Sequence, residues 1–131
     1  MRSVDTNIIV RLLARDDEPQ FQLANSIFEG GDLWIAKTVL LETEWVLRSR
    51  YRFTPQAVLE ALHKLLCLSG VSVEDEDAVS VALALFGQGL DFADALHLAS
   101  RPAGAGFVTF DEAFVRRAKQ AGVTRIANAA H

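Results

Sequence analysis

The sequence contains one cysteine and no long apolar run, and these absences exclude two classes of protein. Cys67 has no partner for an internal disulfide, and its place in the amphipathic stretch 58–68 predicts a small core residue. The longest apolar runs, such as residues 81–86, fall far short of the roughly 20 residues that cross a bilayer. Asp5 stands where a signal peptide would be apolar. We therefore expect a cytoplasmic protein without disulfides or a membrane span.

Motifs for zinc and nucleotide binding are also missing. The three histidines, His63, His97 and His131, are scattered and lack zinc-ligand spacing. Neither G-x-G-x-x-G nor G-x-x-x-x-G-K-[ST] occurs. The net charge of −4 argues against a broad phosphate-binding surface, although it leaves room for a local basic patch.

What the sequence does contain is enough apolar material for one core. Half of the 131 residues are hydrophobic and 23% are charged, which is ordinary for a globular protein and excludes disorder. A chain of this length buries roughly two-thirds of its unfolded surface. With no internal repeat or linker, the sequence predicts a single domain over residues 1–131.

Short apolar segments alternate with helical patterns along the chain. The predicted strands are residues 2–5, 33–35, 71–73, 107–110 and 123–126. The predicted helices are residues 8–15, 19–29, 38–50, 55–69, 74–87, a segment from 91, and 111–120. This alternation predicts an α/β fold with a mostly parallel central sheet.

Acidic residues follow the first and fourth predicted strands. Parallel strands have their carboxyl ends at one edge of the sheet, where ligands bind, and this edge would carry Asp5 and Asp111. Each of them is equally suited to cap the helix that follows. Asp94 has a similar ambiguity, because Asp91 and Asp94 have the spacing of a capping box.

Glu42 differs from its neighbour Glu44. The residues three and four positions from Glu42 are not basic, so we expect it on an apolar face without a partner, where burial is costly. Glu44 has Arg48 four positions later, which is typical of a solvated helix pair. Glu42 is therefore the acid in this helix that we assign to a site.

Four acids at one edge would repel one another strongly. Two carboxylates ~5 Å apart repel by about 3 kcal/mol at an effective dielectric constant of 20. Either their pKa values rise or a divalent cation lies among them, and Mg²⁺ or Mn²⁺ accepts carboxylate and water ligands. We expect the metal. The four acids are Asp5, Glu42, Asp94 and Asp111.

Four segments in this order resemble the PIN-domain family and, within it, the VapC toxins of bacterial toxin–antitoxin pairs. They are VDTNII at 4–9, LLETEWVLR at 40–48, DFADALH at 91–97 and VTFD at 108–111. The resemblance implies a PIN-like α/β/α sandwich and a metal-dependent ribonuclease whose acidic quartet is matched by Asp5, Glu42, Asp94 and Asp111. Asn7 and Thr109 match nearby polar positions.

The resemblance also implies homodimers and inhibition by a small VapB-type antitoxin that sends a basic side chain into the acidic pocket. Asp5 and Asp94 are our first choices as ligands of one or two metal ions, and either Glu42 or Asp111 orients the attacking water. RNA hydrolysis by metal-activated water fits these residues.

Two basic segments are candidates for contacts with RNA. Arg48, Arg50 and Arg52, with aromatic residues among them, are suited to bind RNA or the antitoxin, or to complement a helix C-terminus. Residues 116–119 form a second basic segment, with a solvated helix face as the alternative. We interpret His97 as an ordinary helix residue rather than a general base, and we expect Trp45 to be exposed.

Other functions fit less well. A haloacid-dehalogenase-like phosphotransferase needs a second Asp where this chain has Asn7, and a receiver domain needs its acceptor Asp on a middle strand. The remaining alternative is a non-catalytic module that keeps the fold and only binds a partner. The presence of all four acids argues against it.

Overall fold

The computed structural model describes residues 1–131, which divide into two compact units, Met1–Glu76 and Asp77–His131. The first unit contains β1 (Arg2–Ser3), α1 (Thr6–Ala14), α2 (Glu18–Gly30), β2 (Leu33–Ile35), α3 (Lys37–Ser49), α4 (Pro55–Leu66) and β3 (Val71–Val73). The second contains α5, which begins at the boundary (Glu76–Gly87), α6 (Phe92–Ala99), β4 (Phe107–Thr109), α7 (Glu112–Gln120) and β5 (Ile126–Asn128).

The first unit is built on a three-stranded parallel sheet in the order β1-β2-β3. Leu33 of β2 pairs with Arg2 on one side and Val71 on the other, and two helices separate each strand from the next along the chain. Because all three strands are parallel, their carboxyl ends share one edge. The side chains of Leu33 and Ile35 are buried, and α1 packs against both α2 and α3.

Local signals in the sequence explain where the helices of this unit begin. Asp17 and Thr54 cap α2 and α4 by accepting hydrogen bonds from backbone N–H groups three residues ahead. The turn before β3 depends on Gly70, whose φ is +79° and whose Cβ, if it had one, would lie 2.8 Å from the Cα of Gly31. Only glycine fits at this position.

The second unit pairs β4 with β5 in parallel, with Thr109 opposite Asn128. Phe107 of β4 meets Phe114 of α7 edge to face at a centroid distance of 5.5 Å. Phe86 and Phe92 make a similar contact between α5 and α6. The core of this unit is thus largely aromatic and aliphatic.

The predicted α/β class with parallel strands is confirmed, and the strands form a three-stranded and a two-stranded sheet. The last strand was predicted too early, at 123–126, whereas β5 is Ile126–Asn128. Val123 instead donates its N–H to the carbonyl of Ala118 and so belongs to the turn after α7. The single domain stays a prediction. No helix has the length and apolar character needed to span a bilayer.

Cys67 is exposed, so its predicted place in the core is wrong. The buried stripe of α4 includes Val58, Leu62 and Leu65. Cys67 lies beyond the last helical residue, at the C-cap, and there it no longer follows the periodicity of that stripe.

The two glutamates of α3 are placed opposite to the sequence prediction. Glu42 is exposed, whereas Glu44 is only 2% exposed and accepts a 2.7 Å hydrogen bond from Nε of Arg48. Glu44 shares its helix face with Leu40 and Leu47, which are buried. The predicted pairing with Arg48 is confirmed, but the predicted solvation of Glu44 is wrong.

Replacing Arg48 by Met should lower the free energy of unfolding by about 1–3 kcal/mol, because the Glu44 carboxylate stays buried without its guanidinium partner. We do not expect the larger loss of stability that follows when a fully buried ion pair is broken, since the Arg48 side chain is itself 43% exposed. Urea unfolding measures the change. The matched control Arg50→Met, at an exposed position, should change it by less than about 0.5 kcal/mol, and equal losses in both variants would contradict the assignment.

Candidate active site

Asp5 follows β1 and caps α1. Its Oδ1 accepts a 2.8 Å hydrogen bond from the N–H of Thr6, and its side chain is exposed at the carboxyl end of the strand. The capping role that the sequence allowed is therefore confirmed. Oδ2 makes no hydrogen bond within the protein, so one oxygen of this carboxylate remains able to bind a ligand.

Glu42 is joined to the same segment through Thr6. The Thr6 hydroxyl, on a residue that is only 4% exposed, donates a short hydrogen bond to Oε1 of Glu42. The first unit thus brings Asp5 and Glu42 to either side of one buried threonine. Sequence reasoning missed Thr6; the available signal was its position directly after Asp5, where a helix start would turn its side chain inward.

Asn7 is exposed and lines an open cavity of about 570 Å³ together with Arg11 and Arg50. The cavity lies between α1, α2 and the end of α3. Arg11 forms an ion pair with Asp16 at 3.2 Å, so the positive charge of this surface, next to the Asp5 segment, comes mainly from Arg50.

In the second unit, Asp94 lies in the first turn of α6, and its N–H donates to Oδ2 of Asp91 at 3.2 Å. The reciprocal bond of a capping box is not made. Partial burial raises the pKa of the Asp94 carboxyl above its ordinary value, and the charges of Asp91 and Asp111 raise it further. His97 and Arg117 act in the opposite direction but more weakly.

Asp111 caps α7, with its Oδ1 accepting a 3.0 Å hydrogen bond from the N–H of Phe114. Its own N–H donates to the hydroxyl of Thr109 at 3.1 Å. Thr109, which the sequence placed near the site, therefore fixes the backbone that carries Asp111. The charge of Asp111 contributes to the raised pKa of Asp94, so the Asp111 carboxylate lies close enough to Asp94 to act on it.

The acids thus occur as two pairs, Asp5 with Glu42 in the first unit and Asp94 with Asp111 in the second. In neither unit do three or more Asp, Glu, His or Cys side chains gather in an arrangement that would hold a metal ion by themselves. The donors present are carboxylate oxygens, which suit a hard cation such as Mg²⁺ or Mn²⁺ rather than zinc. A cation would also relieve the repulsion that raises the pKa of Asp94.

The three arginines near the end of α3 are in different situations. Arg48 binds Glu44. Arg50 is exposed and lines the cavity beside Asn7, and Arg52 is exposed with a φ of +56°. Of the three, Arg50 is best placed to contact a phosphate. The predicted exposure of Trp45 is confirmed at 52%.

In metal-free protein at pH 7, replacing Asp94 by Asn should raise the melting temperature. The pKa of Asp94 is higher in the folded state than in the unfolded state. Below the ordinary Asp pKa of about 3.9 the carboxyl is protonated in both states and the stability linked to it is fully present, and this stability is lost as pH rises through the folded-state pKa. The gain should therefore disappear near pH 3. Thermal melts in EDTA at both pH values measure it.

The control for this experiment is Asp77→Asn, which removes the same charge at an exposed position in the first turn of α5. Loss of a carboxylate at a helix N-terminus should leave stability unchanged or slightly lower. A similar gain in both variants would mean that net charge, and not the surroundings of Asp94, determines the effect.

Comparison with known proteins places this geometry in a family. The PIN domain model matches residues 3–120, a range that includes both acid pairs. No curated protein matches the chain. PIN domains are generally nucleases and typically use divalent metal ions, which supports a hydrolase that acts on nucleic acid. With the match covering nine-tenths of its length, the chain belongs to the PIN domain family.

Proposed function

We propose that this protein is a metal-dependent endoribonuclease and the toxin of a type II toxin–antitoxin pair. The observation that carries the catalytic part is the state of Asp94: it is partly buried, it lies in the field of Asp91 and Asp111, and it forms no ion pair with Lys or Arg. A carboxylate with like-charged neighbours and little compensating positive charge is stabilised when it binds a cation. The toxin role rests on the resemblance of the four acidic segments to VapC proteins.

The proposed ligands are Asp5 and Asp94, and the cation is Mg²⁺, with Mn²⁺ as a substitute. When bound, the cation supplies a water of lowered pKa and screens the phosphodiester from the carboxylates. Glu42 or Asp111 orients the attacking water. Hydrolysis adds the water oxygen to phosphorus and breaks the bond to O3′, which leaves a 5′-phosphate and a 3′-hydroxyl.

Hydrogen bonds within the chain support these roles. Backbone N–H groups hold one oxygen of Asp5 and one of Asp111, and each carboxylate keeps its second oxygen for a ligand or a water. The Thr6 hydroxyl holds Glu42. These donors fix the acids before substrate arrives, so that little reorganisation is needed during the reaction.

RNA binding is proposed for the cavity lined by Asn7, Arg11 and Arg50, with Arg48 and Arg52 as further candidates for RNA or antitoxin contacts. Guanidinium groups bind phosphate through paired N–H donors. The affinity for RNA should therefore weaken with salt. The open shape of the cavity suits a single strand that continues past the acids.

The proposed partners are a VapB-type antitoxin and a second copy of this chain, acting in the cytoplasm. Two exposed large apolar side chains of the first unit, Leu23 (67%) and Trp45 (52%), support a protein contact. A basic residue of the antitoxin would be attracted to the uncompensated acids, which explains inhibition without any further site.

Thr6→Val should lower the cleavage rate by about ten-fold, because Glu42 loses the hydroxyl that positions it. Thr6→Ser keeps the hydroxyl and should restore most of the rate. Comparing kcat with KM on one RNA separates positioning from binding, since we expect the loss in kcat. A fall that Thr6→Ser does not rescue would indicate a purely structural role in the core.

Asp5→Asn should reduce cleavage of total or transfer RNA by about 100-fold or more, because the amide is a poor ligand and carries no charge. The matched control is Asp17→Asn, which changes another helix-capping aspartate with the same chemistry. Cleavage should need Mg²⁺ or Mn²⁺, stop in EDTA and leave 5′-phosphates. If wild type cleaves no RNA and calorimetry detects no Mn²⁺ binding, the nuclease proposal is wrong and a partner-binding module takes its place.

A further inference from the structure

Phe110 is exposed to 79%, although it belongs to the segment that carries Asp111. It is the only exposed residue among the eight phenylalanines; the other two in its neighbourhood, Phe107 and Phe114, pack against each other. Isolated exposed apolar residues are common, so the case for a binding role rests on the place of Phe110 directly before Asp111, one of the four candidate acids, and on the charges nearby.

The backbone on both sides of Phe110 is held in place. The carbonyl of Thr109 accepts a hydrogen bond from the N–H of Ala129 at 2.8 Å, and the Thr109 hydroxyl accepts one from Asp111. Asp111 in turn caps α7. Phe110 therefore projects from a fixed point directly beside the acid rather than from a loose loop.

Positive charge follows on the next helix. Arg116, Arg117 and Lys119 are exposed on α7, and Oε1 of Glu112 at the start of this helix lies 3.2 Å from Nε2 of His131. Arg116 and Lys119, three positions apart, line a cavity of about 580 Å³ with Asn128, which pairs with Thr109 in the sheet. The segment thus combines a flat apolar ring with cations that suit a sugar–phosphate chain.

We propose that Phe110 stacks on an unpaired nucleobase of the RNA next to the cleaved phosphodiester. This inference rests on the proposed nuclease function and adds to it a contact with the base beside the cleaved bond. Exposed aromatic rings beside cationic grooves are the common means of binding unpaired bases, since every base offers a face for stacking.

A protein partner is the competing occupant, because Val108 of β4, two positions before Phe110, is also 69% exposed. The observations favour RNA: Phe110 directly precedes Asp111 in the chain, and the cationic side chains of α7 complement phosphate. Val108 provides the matched control, since a protein contact would use both apolar side chains whereas base stacking uses the ring alone.

The test measures binding of single-stranded RNA that contains 2-aminopurine, in EDTA so that no cleavage occurs. Phe110→Ala should weaken binding by about 5- to 150-fold and abolish the quenching of the base. Phe110→Trp should retain both, and Val108→Ala should bind like wild type. With Mg²⁺, Phe110→Ala should raise KM more than it lowers kcat.

The outcomes separate this inference from the proposed function. Wild type that cleaves RNA while Phe110→Ala binds normally would overturn stacking and leave the nuclease intact. Quenching that depends on Phe110, in a protein that cleaves nothing, would support stacking and count against the nuclease. Equal losses in the Phe110 and Val108 variants, together with a changed mass by light scattering, would show a protein interface and overturn the inference.

Discussion

The chemistry of this protein depends on how the negative charge of its carboxylates is compensated by neighbouring groups. Each acid is compensated differently, and the compensation decides what the acid is free to do. Glu44 is buried against Arg48 and is structural, whereas Glu42 is exposed and accepts a hydrogen bond from a neutral hydroxyl. Asp94 has only distant cations and like-charged neighbours, so the pKa of its carboxyl is raised. The least compensated acid is the one with most to gain from a metal ion.

Local patterns predicted most of the secondary structure and three capping aspartates, because caps, prolines and apolar spacing act within a few residues. Features set by tertiary packing were not accessible in this way. The three- and four-residue spacings of α3 are compatible with an inward-facing Glu42 or Glu44, and only tertiary packing decides between them. Glu44 is buried, while Glu42 is exposed and accepts the hydroxyl of Thr6 at the start of α1. The late position of β5 has a similar origin, since the turn after α7 occupies the residues that alternation alone would assign to a strand.

The candidate site stays a prediction as a set of residues: Asp5 and Asp111 follow predicted strands, whereas Thr109 was identified only through the resemblance to PIN domains. The Thr109 hydroxyl does accept a hydrogen bond from the backbone of Asp111. In the first unit the Thr6 hydroxyl holds Glu42, and its position directly after Asp5 is the one signal for this role in the sequence. In both units an aspartate follows a strand and caps the next helix, and a nearby threonine hydroxyl holds either the backbone of that aspartate or a second acid. Because Asn caps a helix as well as Asp does, the cap alone does not require a negative charge at these two positions.

The parallel sheet of the first unit also has a consequence for how the protein folds. No strand in it pairs with its neighbour through a hairpin, and two helices must form and pack before each pairing can close. The chain loses conformational entropy when such long loops close, and it gains the strand contacts only afterwards. Folding should therefore be slow for a chain that is mostly helical. Glu42 belongs to α3, which follows β2, so its hydrogen bond with Thr6 forms only when α3 packs against α1. The pairing of Glu42 with the Asp5 segment is therefore a tertiary feature, which a nascent chain that has made only its first two helices does not have.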